Sequence, residues 1–213
     1  EGEQMLKPTY FMQSTHNTIS SLIAIHNRCH GYNTTYSHRS VSFDSALLDA
    51  FTQLSLGDIQ TALVTGNDEM TPSYFHILQR TGYVGQPGQV PASEASVAML
   101  LTTDPAGALC QGGSVGMQYG DTLPLPAVED IDLLVTGING TPQNDEPYER
   151  IAAQLPGVAR FDYKRLFGEC YTASGLGVYA AAHLLHEGQA SRLLFVNHSD
   201  GLNTCYVILK RVP

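Results

Sequence analysis

Basic residues are scarce in this chain. Of its 213 residues only 11 are Lys or Arg, against 20 Asp and Glu, which gives a formal net charge of −9 and an isoelectric point near 5.2. Binding to nucleic acid or to an anionic membrane surface depends on dense Lys and Arg. The composition therefore argues against both kinds of partner, whereas an acidic surface is common among soluble enzymes.

Cysteine is also sparse and widely spaced. The four residues, Cys29, Cys110, Cys170 and Cys205, form no C-x-x-C pair, so neither a zinc site nor a disulfide framework is predicted. We expect free thiols in a reducing cytosol. No G-x-G-x-x-G or P-loop motif follows a predicted strand. The sequence therefore predicts no bound metal or cofactor.

Long apolar runs are absent as well. No run reaches the length of a transmembrane helix, and the first five residues lack the basic-then-apolar pattern of a signal peptide. We therefore expect a soluble, cytoplasmic protein. With 43% hydrophobic content, the chain can bury one substantial core or two small α/β halves that share an interface.

The apolar residues that are present alternate between helical and strand spacing, which predicts an α/β layered fold. Helices are predicted over 15–28, 42–56, 147–155 and 172–187. Strands are predicted over 32–36, 61–65, 96–102, 132–136, 192–197 and 204–210. Ser42 is a candidate N-cap for the second helix, and Gly57 follows its end.

Glycine and proline separate these elements. They predict a loop-rich segment over 72–91 and no regular structure around 112–120. Residues 123–126, Leu-Pro-Leu-Pro, are predicted to connect two halves. We therefore predict a division into 1–122 and 123–213, with the two parts together forming one structural unit.

Four ordered segments carry the functional signal. The first is the helix that ends at Gly57, followed by strand 61–65, Gly66 and Glu69. The other three cover 139–145, 164–175 and 197–203. Each segment is a weak signal alone, but their order and spacing resemble the β-ketoacyl-acyl-carrier-protein synthases of the thiolase superfamily, from about Pro8 to the end of the chain.

The resemblance implies a thiolase-like layered fold with two related mixed sheets and buried helices, the first half being incomplete. Family members carry a β-α-β segment before the region that matches Pro8. Removing its strands would leave backbone groups and apolar strand faces unpaired. We therefore expect the natural protein to be longer at its amino terminus, or another chain to supply the strands. The upstream reading frame would decide between these and a chain beginning at Glu1.

The resemblance also implies that the catalytic Cys-His-His triad of the family is replaced. Ser40, which lies 17 residues before Gly57, stands at the position of the nucleophilic Cys. Either Asn139 or Gly137 replaces the first His, and Glu169 replaces the second. The family's lysine is retained as Lys164. The substrate pocket is implied to include Gly137, Thr141, Ser199 and Gly201, with Ser199 at the position of a gating Phe.

These replacements change the expected chemistry. A Cys at a helix amino terminus becomes a thiolate because the helix end lowers its pKa from an ordinary value of about 8.5. A Ser hydroxyl starts too high for this and needs a neighbouring base. The His pair donates hydrogen bonds to a developing enolate, but an ionised Glu169 only accepts them. Decarboxylative condensation by this chain alone is therefore not expected.

Three functions remain open at this point. The leading hypothesis is a non-condensing partner, similar to a chain-length factor, that shapes the acyl tunnel of a fatty-acid or polyketide synthase. It would act with acyl carrier protein and form a homodimer, or a heterodimer with an active synthase. The alternatives are a Ser40-dependent acyltransferase or hydrolase, with His38, His198 or Glu169 as the base, and a purely structural partner. If these residues have a structural role instead of a catalytic one, Ser40 fills a narrowed pocket and Lys164 forms an ion pair with Glu169 or Asp162.

Overall fold

The computed structural model describes residues 7–120, 129–199 and 203–212. These described residues form two compact units, one within 1–37 and the other within 38–213. The helices are α1 (Pro8–Gln13), α2 (Thr18–Asn27), α3 (Ser42–Leu56), α4 (Pro72–Arg80), α5 (Pro142–Ala152), α6 (Tyr163–Phe167) and α7 (Ala173–His186). The strands are β1 (Thr61–Asp68), β2 (Ala95–Thr102), β3 (Gln111–Tyr119), β4 (Leu133–Thr136), β5 (Ala159–Asp162), β6 (Arg192–Ser199) and β7 (Asn203–Lys210).

The first unit contains α1 and α2. Pro8 begins α1 at a position where its missing N–H costs nothing. Arg28 ends α2 in the left-handed conformation, with a φ of 53°. No side chain among the described residues of this unit, 7–37, is buried.

The second unit contains two sheets. β1 and β2 pair antiparallel, and the larger sheet has the strand order β3-β7-β6-β4-β5. In that sheet the adjacent strands β5, β4 and β6 run parallel, β7 pairs antiparallel with β6, and β3 pairs antiparallel with β7. The carboxyl ends of the three parallel strands therefore meet at one edge, where the segments that follow them come together.

The central strand β6 is buried on both faces, which explains its continuous apolar sequence. Leu193 and Phe195 face a core cluster shared with α3 and α7, and Leu194 and Val196 face a second cluster against α5. Helix α3 contacts β1, β2 and β3, and α7 contacts β2, β4, β6 and β7. These two helices therefore form a layer between the two sheets.

Glycines bring α7 close to both neighbouring layers. A Cβ on Gly175 would lie 2.6 Å from Val97 of β2, and one on Gly177 would lie 2.7 Å from the Phe195 ring of β6. Contacts this short do not occur in folded proteins, so neither position accepts a side chain without displacing its neighbours. The small residues in α7 thus set the spacing between the layers.

The structure agrees with most of the predicted elements and corrects several. No described strand pairs with 32–36, so its Tyr and Thr residues do not form the predicted strand, which needs a hydrogen-bonded neighbour. The predicted loop 72–91 contains α4, whose Pro72 follows an N-cap, Thr71, that accepts a hydrogen bond from the Tyr74 amide. Helix α5 begins at Pro142 rather than Pro147, and Pro147 lies inside it.

Glycine-rich residues 112–119 are not irregular, since they form most of β3, whereas Gly120 lies just beyond its end with a φ of 98°. A bulge lies between Gly112 and Ser114, and a Cβ on Gly116 would lie 2.4 Å from the Tyr206 ring, so the glycine makes room for an aromatic neighbour. Ser42 is not the N-cap of α3 but its first residue, and its hydroxyl donates to the Arg39 carbonyl instead. The predicted boundary at 122/123 and the connector 123–126 lie outside the described residues.

Truncating the central strand should destabilise the fold strongly. Phe195 is fully buried and stacks on Tyr163 with ring centroids 5.4 Å apart. We expect Phe195→Ala to lower the free energy of unfolding by about 3–5 kcal/mol because it leaves a cavity. The control is Leu166→Ala, since Leu166 is 67% exposed and its loss should cost less than about 0.5 kcal/mol. Urea denaturation measures both, and equal losses would contradict the described core.

Candidate active site

A cavity of about 930 Å³ lies at the carboxyl-terminal edge of the parallel strands. Asn139 follows β4, Lys164 and Glu169 follow β5, and Ser199 ends β6. Side chains after neighbouring parallel strands meet at the same edge of a sheet. The remaining lining residues include Ser40, Thr141, His198, Tyr83 and residues of α4.

Ser40 enters the cavity from a tight turn before α3. It lies in a short 3-10 helix, Arg39–Val41, and Arg39 has a φ of 49°, an uncommon conformation for a residue with a side chain. The Ser40 hydroxyl is buried and donates to the Ser199 hydroxyl. Its proton is therefore directed to another hydroxyl rather than to a base.

Asn197 holds this turn from behind. Its Nδ2 donates to the Ser40 carbonyl at 2.8 Å and to Asp44 Oδ2 at 2.7 Å, and its Oδ1 accepts from the Tyr163 hydroxyl at 3.0 Å. All four residues are buried. One amide thus ties the Ser40 turn to α3, α6 and β6.

Asp44 is a fully buried carboxyl within this network. Burial raises its pKa from 3.8 to about 6, against the opposing effect of the hydrogen bond from Asn197. The Ser174 hydroxyl and the Cys205 thiol are close enough to interact with it. Even so, Oδ1 has no well-formed hydrogen bond within the described part of the chain. The carboxyl is therefore poorly compensated for the charge it carries at neutral pH.

Glu169 is the centre of a second buried network. Its Oε2 accepts from Asn139 Nδ2 at 2.7 Å and from Lys164 Nζ at 3.0 Å, and its Oε1 accepts from the Tyr83 hydroxyl at 3.1 Å. Glu169 is 0% exposed and Lys164 is 3% exposed. The carboxylate thus receives one charged and two neutral donors, the condition under which a buried ion pair is tolerated.

Residues 83–93 form a strap that holds the loops carrying this network. The Val90 amide donates to the Asn139 carbonyl at 2.8 Å, and the Glu169 backbone exchanges hydrogen bonds with Pro91 and Ser93. A Cβ on Gly140 would lie 2.2 Å from the Gly88 carbonyl. Tyr83, which this strap supplies, was missed by the sequence analysis because its segment has neither periodicity nor a motif.

The structure brings most of the proposed site residues together. Ser40, Asn139, Lys164, Glu169, Thr141 and Ser199 line the one cavity. Gly137 does not line it, because Gly137 packs under the hydroxyls of Tyr148 and Tyr163, so Asn139 is the better candidate for the first His position. Gly201 lies outside the described residues. The roles assigned to these residues stay predictions.

The structure distinguishes between the two partners that were expected for Lys164. Lys164 pairs with Glu169, whereas Asp162 pairs with Arg160 and Arg165. The candidate bases have hydrogen bonds other than one to Ser40: His38 Nδ1 faces Ser45 at 3.4 Å, and His198 Nδ1 bonds Thr204 at 2.8 Å. This arrangement gives no support to Ser40 as an activated nucleophile.

No described helix is long and apolar enough to span a bilayer. Within the described ranges, no group of three or more His, Cys, Asp or Glu side chains is arranged to hold a metal ion.

The amino-terminal part of the chain matches a known protein family. The model of the β-ketoacyl synthase N-terminal domain matches residues 1–121, more than half of the sequence. The chain therefore belongs to the β-ketoacyl synthase family. It matches no curated protein sequence.

Solved structures of ketosynthases share the fold. A chain from the complex of a type II polyketide synthase acyl-carrier protein with its ketosynthase matches with a TM-score of 0.83 and 13% identity, over 100% of this chain and 69% of that one. The ishigamide ketosynthase/chain length factor matches at 0.84 and 16%, over 99% and 68%. A ketosynthase in complex with its chain length factor from Xenorhabdus doucetiae matches at 0.77 and 16%, over 100% and 68%. These likenesses confirm the predicted thiolase-like fold, and the chain spans about two thirds of these structures.

Removing the charge of Asp44 should change how stability depends on pH. Its pKa is raised on folding from 3.8 to about 6, so the folded state holds the proton more tightly than the unfolded state. Its contribution to stability is therefore most favourable below pH 4 and is lost as the pH rises to about 6. We expect Asp44→Asn to abolish this decline. The free energy of unfolding of the variant, measured relative to the wild type, should therefore rise by about 3 kcal/mol between pH 4 and a pH above 6.

Denaturant unfolding between pH 4 and 8 measures this change. Asp49→Asn is the matched control, because Asp49 lies on the same helix but is only half buried. Parallel pH profiles for the wild type and Asp44→Asn would contradict the raised pKa.

The Lys164–Glu169 pair should behave as a coupled unit. Lys164→Met leaves the Glu169 charge buried without its cation, and we expect a loss of about 3–5 kcal/mol. Adding Glu169→Gln removes the remaining charge and should restore at least about 1 kcal/mol of that loss. A double-mutant cycle by urea denaturation at pH 7 measures the coupling. Simple additivity of the two single changes would show that the ion pair does not exist in solution.

Proposed function

We propose that the protein is a ketosynthase-like component of polyketide-type or fatty-acid biosynthesis that does not itself condense acyl groups. It acts beside an active ketosynthase, as a chain-length factor does, with acyl carrier protein delivering the growing chain. The observation that carries this proposal is the Glu169 network. A carboxylate occupied by Lys164, Asn139 and Tyr83 stands where the family requires donors to a developing enolate.

The electrostatics of the cavity support a non-condensing role. Enolate formation needs donors aimed at the oxygen on which negative charge develops. Here the nearest donors, Lys164 Nζ and Asn139 Nδ2, already point at Glu169. A malonyl carboxylate entering the cavity would also meet a second carboxylate at close range, which opposes its binding.

The family membership and the folds of the ketosynthase/chain-length-factor structures support the proposed partners. The partner synthase would supply the catalytic Cys and His residues of the family, which are replaced in this chain. In such a pair the present cavity contributes its wall and its volume to the acyl chain, and no reaction step at Ser40 is required.

The test is incubation with acyl- and malonyl-carrier protein, alone and with a partner ketosynthase encoded nearby, followed by intact mass measurement. We expect no acyl adduct and no condensation by the protein alone, and a β-ketoacyl product only when the partner is present. An acyl-enzyme on Ser40 in the absence of the partner would refute this proposal and favour the acyltransferase alternative.

Restoring the nucleophile should not restore condensation. Ser40→Cys supplies a thiol but leaves Asn139 and Glu169 in place of both His donors, and the members of a catalytic triad act as a unit. We expect β-ketoacyl product from Ser40→Cys alone to remain at the background level of the wild type. Product formation well above that level without a partner would show that the donors at these positions are not needed.

A further inference from the structure

A buried carboxylate lies one helical turn beyond Ser40. Asp44 is 0% exposed and follows Ser40 by four residues, in the first turn of α3. The amino terminus of a helix carries a partial positive charge, which stabilises an anion placed near it. A carboxylate inside the first turn takes that stabilisation for itself.

Asp44 and the Ser40 backbone lie close enough to share one hydrogen-bond donor. Asn197 Nδ2 is within hydrogen-bond distance of both the Ser40 carbonyl and Asp44 Oδ2, at 2.8 and 2.7 Å. Since the three groups are buried, the Asp44 charge is only weakly screened from Ser40. An anion formed at the Ser40 side chain would therefore face a nearby charge of the same sign.

The other groups around Asp44 do not neutralise it. Lys164 on α6 lowers the pKa of Asp44 less than the hydrogen bonds from Asn197 and Ser174 do, and its ammonium is paired with Glu169. Tyr148 on α5, Tyr163 on α6 and Cys205 on β7 face this region, and burial raises the pKa of each, so they stay uncharged at neutral pH. Asn197 on β6 and Ser174 on α7 contribute only neutral dipoles.

We propose that Asp44 is a positioning residue that holds the side chain at position 40 in its neutral form. Ionised Asp44 cancels the field of the α3 amino terminus and opposes a thiolate or alkoxide at this position. The site is thus set against nucleophilic chemistry twice, by the hydroxyl of Ser40 and by the charge beneath it. This inference deepens the proposed non-condensing function and rests on it for its meaning.

The thiol introduced by Ser40→Cys reports this charge directly. We would measure its alkylation by iodoacetamide from pH 5 to 10, using peptide mass spectrometry to separate it from the four native cysteines. Three proteins are compared: Ser40→Cys alone, Ser40→Cys with Asp44→Asn, and Ser40→Cys with Asp49→Asn as the control. The pH midpoint of alkylation gives the pKa of the thiol.

We expect the Asp44→Asn change to lower that midpoint by at least about one pH unit, which means about tenfold more thiolate at pH 7. The Asp49→Asn change should leave the midpoint where it is. Equal midpoints in all three proteins, or equal displacements by both Asn changes, would overturn the proposal.

Folding is checked by near-ultraviolet circular dichroism of each protein. If Asp44→Asn does not fold, Asp44→Ser removes the same charge and keeps a hydroxyl toward Asn197, and its midpoint is judged by the same criterion. Failure of both variants to fold, with native Ser40→Cys, would overturn the assignment of Asp44 as a charge-setting rather than a fold-supporting residue. The measurement needs no partner or carrier protein, so its result is independent of whether the proposed pairing with a ketosynthase succeeds.

Discussion

The buried ion pair between Lys164 and Glu169 is the interaction on which the arrangement of the cavity depends. Removing two charges from water costs several kcal/mol for each ion, and the pair persists only because other donors complete it. Asn139 comes from the loop after β4 and Tyr83 from the strap 83–93. The Glu169 carboxylate therefore holds three separate segments at once. The position of each segment depends on the charges of Glu169 and Lys164.

Polar burial in this protein is concentrated at the edge where the parallel strands end. The two sides of β6 are apolar over Leu193–Val196, and then Asn197, His198 and Ser199 are buried in turn. This change along one strand marks the passage from core to cavity. Asn197 serves the Ser40 turn, so the same strand that builds the core also holds the residue in the nucleophile position.

Much of this fold follows from sequence patterns, and the exceptions have physical causes. Strands β4 and β6 were predictable because burial on both faces leaves a continuous apolar run, and α3 because one of its faces is apolar. Helix α7 was predicted from its run of small residues. The strand β3 was hidden because its glycines pack closely against Phe51, Ile208 and Tyr206 and do not form a turn. For the site, the family motifs pointed to Ser40, Lys164 and Glu169 and to either Asn139 or Gly137, and the structure places Asn139 rather than Gly137 at the cavity. No local pattern marks Asp44 or Tyr83, and the motif over 197–203 gives no role to Asn197. The importance of these three residues arises from contacts between residues distant in the sequence.

The glycines of α7 also limit how the cavity could change in size. Helix α7 packs against β2 at Gly175 and against β6 at Gly177. It acts as a fixed spacer, because sliding it would bring its backbone against Val97 or Phe195. The wall formed by α4 and the strap is different, since Ile77 is 59% exposed and is not enclosed between layers. Relatives with wider or narrower cavities would therefore be expected to differ along α4 and residues 83–93, while the spacing around α7 stays constant.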